Sequence, residues 1–377
     1  MFGKSIRIFK LFGFEVKIDL SWIILALLIV WTLADGVFPK YYPHLTKPTY
    51  WWMGVAGALG LFLSIVFHEM SHSLVARHYG LPMKGITLFI FGGVAEMNEE
   101  PQNAKTEFLM AIAGPIASVV IGFVFYGIAR LLELFAPVSL SGTFEYLFLI
   151  NLVLAGFNML PAFPLDGGRV LRAIIWRIKN DLRKATDLAS QIGLGFGTAF
   201  IILGIFGVLM GNFISGFWWV LIGLFLRNAS SASYRRLIIK EIFEGEKVER
   251  FMNPEPISVN RATPLSEVVE DFVYKHHYKL YPIVENGRLL GCLTTDQIKH
   301  IPREEWPNRT AGEVSDHCTT ENTVGPQEDV MSALNTMSRY GLGRLMVVSE
   351  DRLLGVVALK DLLAFLSMKM ELEPHHK

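Results

Sequence analysis

The sequence predicts a polytopic α-helical membrane protein, with about six transmembrane helices and a small membrane-associated β element, followed by an α/β pair of smaller modules. Long apolar runs fill the first 226 residues, composition changes abruptly near Arg227, and the remainder contains one folding unit written twice. The 377 residues allow two or three domains. Hydrophobic residues make up 51% and charged residues 19%, an odd balance for a purely soluble chain. The formal net charge is zero, which gives no electrostatic footprint for nucleic acid, so no nucleic-acid partner is expected.

The opening, Ser5 to Leu20, alternates apolar and polar residues around Gly13 and reads as a short hairpin. Lys4, Arg7, Lys10 and Lys17 lie in it with no small-residue cleavage site after the first apolar run, so no cleaved signal peptide is expected. Apolar runs follow at 20–34, 51–79, 108–134, 144–161, 192–210 and 213–226. A spanning helix needs roughly 20 apolar residues, and the first and last runs fall short. Six helices are expected, with five plus a re-entrant piece as the alternative. Basic residues favour six. One side would hold Lys4 to Lys17, then Arg77, Lys84 and Lys105, then Arg169 to Lys184, and the other little beyond Lys40 and Lys47. Positive residues collect on the cytoplasmic face, so the chain is expected in the cell membrane as a multi-pass protein with its N-terminus and C-terminal modules cytosolic. Trp51, Trp52, Trp218 and Trp219, near run ends, read as anchors at the interface with the lipid bilayer.

The second apolar run contains "LSIVFHEMSHSLVARHYG". His68 and His72, four apart, stand on one helical face, close enough to share one zinc ion. Glu69 lies about 100° round the helix, where it reaches a water beside the metal without being a ligand and can act as general base. Alone, this five-residue pattern arises by chance in soluble helices. Inside an apolar helix each charged side chain costs at least about 2.5 kcal/mol at mid-bilayer, so three ionisable groups within five residues need a function. His78, six beyond His72, falls on nearly the opposite face and reads as an interfacial residue.

Catalytic zinc usually has three protein ligands and an open fourth position. The acidic residue in a membrane-adjacent, glycine-rich break is Asp166, in "FNMLPAFPLDGGRVLR". Pro161 and Pro164 would end the fourth helix, and Gly167 and Gly168 would allow a tight turn. Irregular backbone at membrane depth must be buried or line a cavity. Ignoring the histidines, the segment would be an ordinary cytosolic loop; beside them it reads as the other half of a site. The stretch "GITLFIFGGVAEM", 85–97, reads as a strand or hairpin. It would either hold substrate extended by backbone hydrogen bonds or simply seal the cavity.

After about Val248, "ISVNRATPLSEVVEDFVYKHHYKLYPIVENGRLLGCLTTDQI" and "ENTVGPQEDVMSALNTMSRYGLGRLMVVSEDRLLGVVALKDLL" each give a helix, a strand, a polar turn, a strand after Gly and a closing helix. This is a βαββα-like unit used twice. The expected division is 1–230 membrane domain, 231–247 linker, 248–306 first module and 307–370 second module. Cys292 and Cys318 are too few for a disulfide framework, and their spacing binds no metal.

The pairing of intramembrane "HEMSH" with downstream "NMLPAFPLDGGR" resembles the site-2 protease family of intramembrane zinc metalloproteases. More narrowly, it is similar to the prokaryotic branch with a C-terminal pair of cystathionine-β-synthase-type (CBS) domains. The resemblance covers nearly the whole chain. It implies one Zn2+ per chain held by His68, His72 and Asp166, Glu69 as general base, and Asn158 as a residue that helps bind substrate or stabilise the oxyanion. "AGPIAS", 113–118, resembles the third-helix motif, with Ser118 where asparagine is common; this departure is expected to touch packing or substrate access and not the metal centre.

The resemblance further implies an endopeptidase acting in regulated intramembrane proteolysis, with a membrane-anchored protein as substrate. It implies a CBS pair that binds adenine nucleotide or associates as a homodimer. The phosphate and ribose signature of such modules is degenerate here: Gly291 and Thr294 are followed by Asp296 one residue early, and Gly355 and Asp361 flank Ala358 in place of a hydroxyl residue. The competing reading is a CBS-gated transporter or channel, which explains the helices and the tail but gives no reason for Glu69 between two histidines.

Overall fold

The chain opens with β1 (Ser5–Leu11) and β2 (Phe14–Asp19), an antiparallel hairpin. It turns at Phe12-Gly13, where Gly13 has a φ of +92°, a conformation that glycine takes without steric cost. Asp19 ends β2 and caps α1 (Leu20–Thr32) by accepting a hydrogen bond from the Ser21 N–H at 2.9 Å. The computed structural model describes residues 5–81, 83–89, 92–97 and 101–372 and divides into two units, one ending at Arg235 and the other starting at Arg236.

The first unit is built on long helices. A π turn carries α1 on into α2 (Phe38–Tyr41), making a 22-residue segment from Leu20 to Tyr41. Then come α3 (Lys47–His78), α4 (Ala104–Leu132), α5 (Val138–Asn158), the shorter α6 (Asp166–Lys179), α7 (Leu182–Leu209) and α8 (Phe213–Phe243). Among the described residues, six segments are long and apolar enough to cross a membrane, Leu20–Tyr41 and helices α3, α4, α5, α7 and α8. This is a multi-pass membrane protein. Both runs that fell short in the sequence are lengthened by residues outside the apolar stretch. At the end of α8, Arg, Ala, Leu and Lys are good helix formers, and the chain stays helical until it nears Gly245. Residues 231–243, expected as linker, belong to that helix.

The expected hairpin at 85–97 is β3 (Met83–Phe89) and β4 (Gly92–Met97), antiparallel to each other; Ile90 and Phe91 lie outside the described residues. It is not an isolated hairpin. β3 pairs in parallel with β2, giving one four-stranded sheet in the order β1-β2-β3-β4. The sheet packs on α3 through Val16, Ile86 and Leu88 against Val66 and Met70. Arg77, in the last turn of α3, donates to the Phe12 carbonyl at 2.7 Å and sits 4.8 Å above the Phe14 ring. The helix bearing the histidines and the sheet are thus fastened at one end.

α4 touches α3, α5 and α6. The hydrophobic effect does not drive helices together in lipid, so close packing and polar links hold them there. Asn151 of α5 donates to Ser64 Oγ of α3 at 2.9 Å, with Asn151 fully buried. Arg172 of α6 donates to the fully buried Glu107 of α4.

The second unit confirms the doubled βαββα pattern. Its strands are β5 (Val259–Asn260), β6 (Leu280–Glu285), β7 (Arg288–Thr294), β8 (Thr323–Val324), β9 (Arg344–Ser349) and β10 (Arg352–Ala358), in one sheet ordered β5-β6-β7-β10-β9-β8. The two copies meet at β7 and β10, which pair at Arg288 and Arg352. Tyr281, Ile283 and Leu293 fill one core; Leu345, Val347 and Val357 fill the other. At the seam, Cys292 packs with Met346 and Val356. Cys292 is also disulfide-bonded to Cys318, a link the cysteine count had passed over. Two cysteines 26 residues apart carry no spacing signal; the pairing of Cys292 with Asp316 and the packing of Cys318 on the same cluster bring them together.

Candidate metal centre

His68 and His72 project from one face of α3, and Asp166 is the first residue of α6, a position where the helix dipole favours a carboxylate. His68 Nε2 lies 3.0 Å and His72 Nε2 3.1 Å from Asp166 Oδ2, and the two Nε2 atoms are 3.2 Å apart. All three residues are almost fully buried. Two ligands on a tetrahedral zinc, each about 2.0–2.2 Å from it, are roughly 3.3 Å from one another. Three donor atoms at this spacing fit one ion between them.

The outer ring nitrogens give a second test of that fit. His72 Nδ1 is 2.6 Å from the Met110 carbonyl, which can only accept, so a neutral His72 carries its proton there and a lone pair on Nε2. His68 Nδ1 is 2.9 Å from Ser118 Oγ. With both outer nitrogens protonated, two imidazole lone pairs and a carboxylate oxygen converge with no proton between them. Such a cluster is repulsive unless a cation or an extra proton fills it, and neutral imidazoles with a carboxylate are a zinc donor set.

Met110, Gly114 and Ser118 recur at the spacing of one helical face, so α4 supplies the floor beneath both imidazoles. A Cβ added at Gly114 would collide with His72 Nε2 and lie 2.7 Å from His68 Nε2, so only glycine fits. The expectation that Ser118 leaves the metal centre untouched is corrected: its hydroxyl meets His68 directly. Gly167 and Gly168 also differ from expectation. They form the first turn of α6, where a Cβ on either would strike backbone between Met159 and Phe163, so they let helix and preceding loop close together around Asp166.

Glu69, one residue beyond His68, faces β4. A Cβ on Gly93 would lie 2.6 Å from Glu69 Cγ, so the strand lies against the acid and a side chain there would have to push the carboxylate aside. β4 is the outer strand of its sheet, paired only with β3 among the described residues. Asn158 is not drawn into the cluster; its amide donates to the Leu154 carbonyl of its own helix at 3.0 Å. His78 is exposed and stacks edge-on with Tyr79.

In the second unit, the glycines of the degenerate signature approach backbone. Cβ atoms at Gly291 and Gly355 would meet the carbonyls of Asp316 and Asn253, at 2.7 and 2.5 Å. Thr294 is engaged as a helix cap, with Gln297 completing a capping box.

Taken together, the six membrane-length helices among the described residues and a buried His-His-Asp group that could hold a metal ion make this a multi-pass membrane protein with a candidate metal centre. Residues 56–135 and 134–203 match Peptidase family M50, and residues 248–303 and 313–368 match the CBS domain. A Synechocystis protein whose name marks it as a candidate zinc metalloprotease is 34% identical over 93% of this chain and 92% of its own length. A zinc metalloprotease of Methanocaldococcus jannaschii is 32% identical over 98% and 99%. The solved site-2 protease of the same archaeon is 31% identical, covering 62% of this chain and 96% of its own, with a TM-score of 0.42. The chain belongs to Peptidase family M50, the site-2 protease family, and carries a C-terminal CBS pair.

Proposed function

We propose that this metallopeptidase is an intramembrane zinc endopeptidase that cleaves membrane-anchored proteins, with His68, His72 and Asp166 as zinc ligands and Glu69 as general base. The observation that carries the reading is the convergence of two imidazole nitrogens and one carboxylate oxygen at 3.0–3.2 Å inside a membrane-length helical unit. Zinc bound there supplies Lewis acidity, which eases removal of a proton from water and polarises the scissile carbonyl. Glu69 takes the proton from the attacking water and returns it to the leaving amine. The carboxylate does not compete as a ligand, because it points round the helix from the histidines. A transporter gated by the CBS pair would need none of this.

β4 supports a way of presenting substrate. A transmembrane helix must unwind before its carbonyl can be attacked, and an outer strand lying against Glu69 can hold the unwound segment by backbone hydrogen bonds. A substrate peptide N-methylated at alternate amides around the scissile bond is expected to lose at least about tenfold in kcat/KM, from loss of one or more net hydrogen bonds. Equal turnover of methylated and plain peptides would remove strand addition from the reading.

The basic-residue asymmetry supports a cytosolic N-terminus and CBS pair, which protease protection in sealed vesicles would test. The CBS pair is proposed as a regulatory module that associates with a second copy. Adenine nucleotide is its candidate ligand, and calorimetry with ATP, ADP and AMP tests it; absence of heat for all three removes the nucleotide. For the enzyme itself, Glu69→Gln tests the assignment. The variant should keep stoichiometric zinc and lose cleavage, because the ligands survive while the base does not. Retained cleavage would reassign the base.

A further inference from the structure

We infer that Ser118 is a positioning residue for the metal centre: its hydroxyl accepts the Nδ1–H of His68 and thereby presents the Nε2 lone pair to the ion. The inference rests on the metal reading above and deepens it at one residue. Ser118 Oγ is 2.9 Å from His68 Nδ1 and the residue is fully buried, so neither group has water as an alternative partner. The two imidazoles are held differently. The partner of His72 is a backbone carbonyl, which fixes one tautomer whatever the sequence. The partner of His68 is a hydroxyl, which can accept or donate. If it donated, the ring proton would move to Nε2 and His68 could not ligate. The direction of this one hydrogen bond is therefore tied to metal occupancy, and an occupied site selects the accepting serine. Ser118 lies four residues beyond Gly114, on the α4 face that also carries the Met110 carbonyl, so the rigidity of one helix fixes both outer contacts. Losing the hydroxyl would leave His68 Nδ1 without a partner, so nothing would hold its proton there; the tautomer with the proton on Nε2, donating to Asp166, would then compete with the one that ligates.

The test is the zinc dissociation constant of the purified full-length chain, measured against a competing chelator, for the wild type and Ser118→Ala. Loss of such an outer partner weakens metal affinity about 10–100-fold, and the variant should show that loss. Its metal-free thermal midpoint should fall only as far as the loss of one buried hydrogen bond explains, and with saturating zinc kcat should fall while KM holds. Ser118→Ala binding zinc as tightly as the wild type would overturn the inference, whereas a wild type that binds no zinc would instead overturn the metal reading. If the variant does not fold, 15N spectra of histidine-labelled, zinc-loaded wild type decide the matter. A protonated Nδ1 on His68 with the downfield proton shift of a hydrogen bond is expected, and an Nδ1–H without that shift contradicts the proposal.

Discussion

Arg172 of α6 and Glu107 of α4 form a buried ion pair, with Arg172 Nε 2.7 Å from Glu107 Oε1 and Glu107 wholly shielded from solvent. The pair ties the helix that begins with Asp166 to the helix that supports both histidines. Three elements converge on the proposed metal centre, and α4 links the other two: it meets α3 through Met110, Gly114 and Ser118, and α6 through Glu107.

Removing one partner of this pair should be severe. Glu107→Ala strands the Arg172 guanidinium in the interior and should cost about 3–5 kcal/mol. Replacing both with methionine should return most of the stability. It should not return the metal site, because α6 loses the contact that sets its position along α4. Denaturant unfolding in detergent and zinc titration of the single and double variants check this. A double variant with wild-type zinc affinity would show that α6 is placed by other contacts.

Gly114→Ala separates helix formation from site formation. Alanine favours a helix by about 1 kcal/mol over glycine, yet its methyl group would overlap both imidazoles. The expected outcome is a lower thermal midpoint, because the overlap outweighs the helix gain, together with loss of bound zinc and of cleavage. Retention of zinc would mean the histidines can withdraw from α4.

Much of this centre was legible before any coordinates. The i, i+4 histidines declare a shared face, a lone acidic residue in a proline- and glycine-interrupted segment declares a partner, and hydropathy declares the helices. The supports were not legible. Met110 acts through its carbonyl, which side-chain chemistry does not reveal, and nothing in "AGPIAS" says that Ser118 faces His68 rather than lipid. Glu107 and Arg172 are 65 residues apart, and no local pattern pairs them. The parallel pairing of β2 with β3 was hidden for a similar reason, since α3 intervenes and no local pattern announces a long-range partner. Asn158, carried over by resemblance alone, bonds to its own helix.

The Cys292–Cys318 bond should contribute to the stability of the second unit. Closing a loop of 26 residues' separation should stabilise by about 3 kcal/mol through the unfolded chain. Cys318→Ser, or reduction of the wild type, should lower the unfolding free energy of this unit by about that much, seen as a lower denaturation midpoint. Identical midpoints with and without reductant would show that the bond adds nothing to the fold.

The central claim is that two imidazoles of α3 and one carboxylate of α6 grip a single zinc ion. The most direct measurement is zinc content per purified chain together with X-ray absorption at the zinc edge, for the wild type and for Asp166→Ala. One zinc per wild-type chain is expected, with two imidazole nitrogens and carboxylate oxygen at about 2.0–2.2 Å, and Asp166→Ala should lose most of the metal or the oxygen that Asp166 provides. A wild type without metal, or an Asp166→Ala protein whose zinc and absorption spectrum match the wild type, would contradict it.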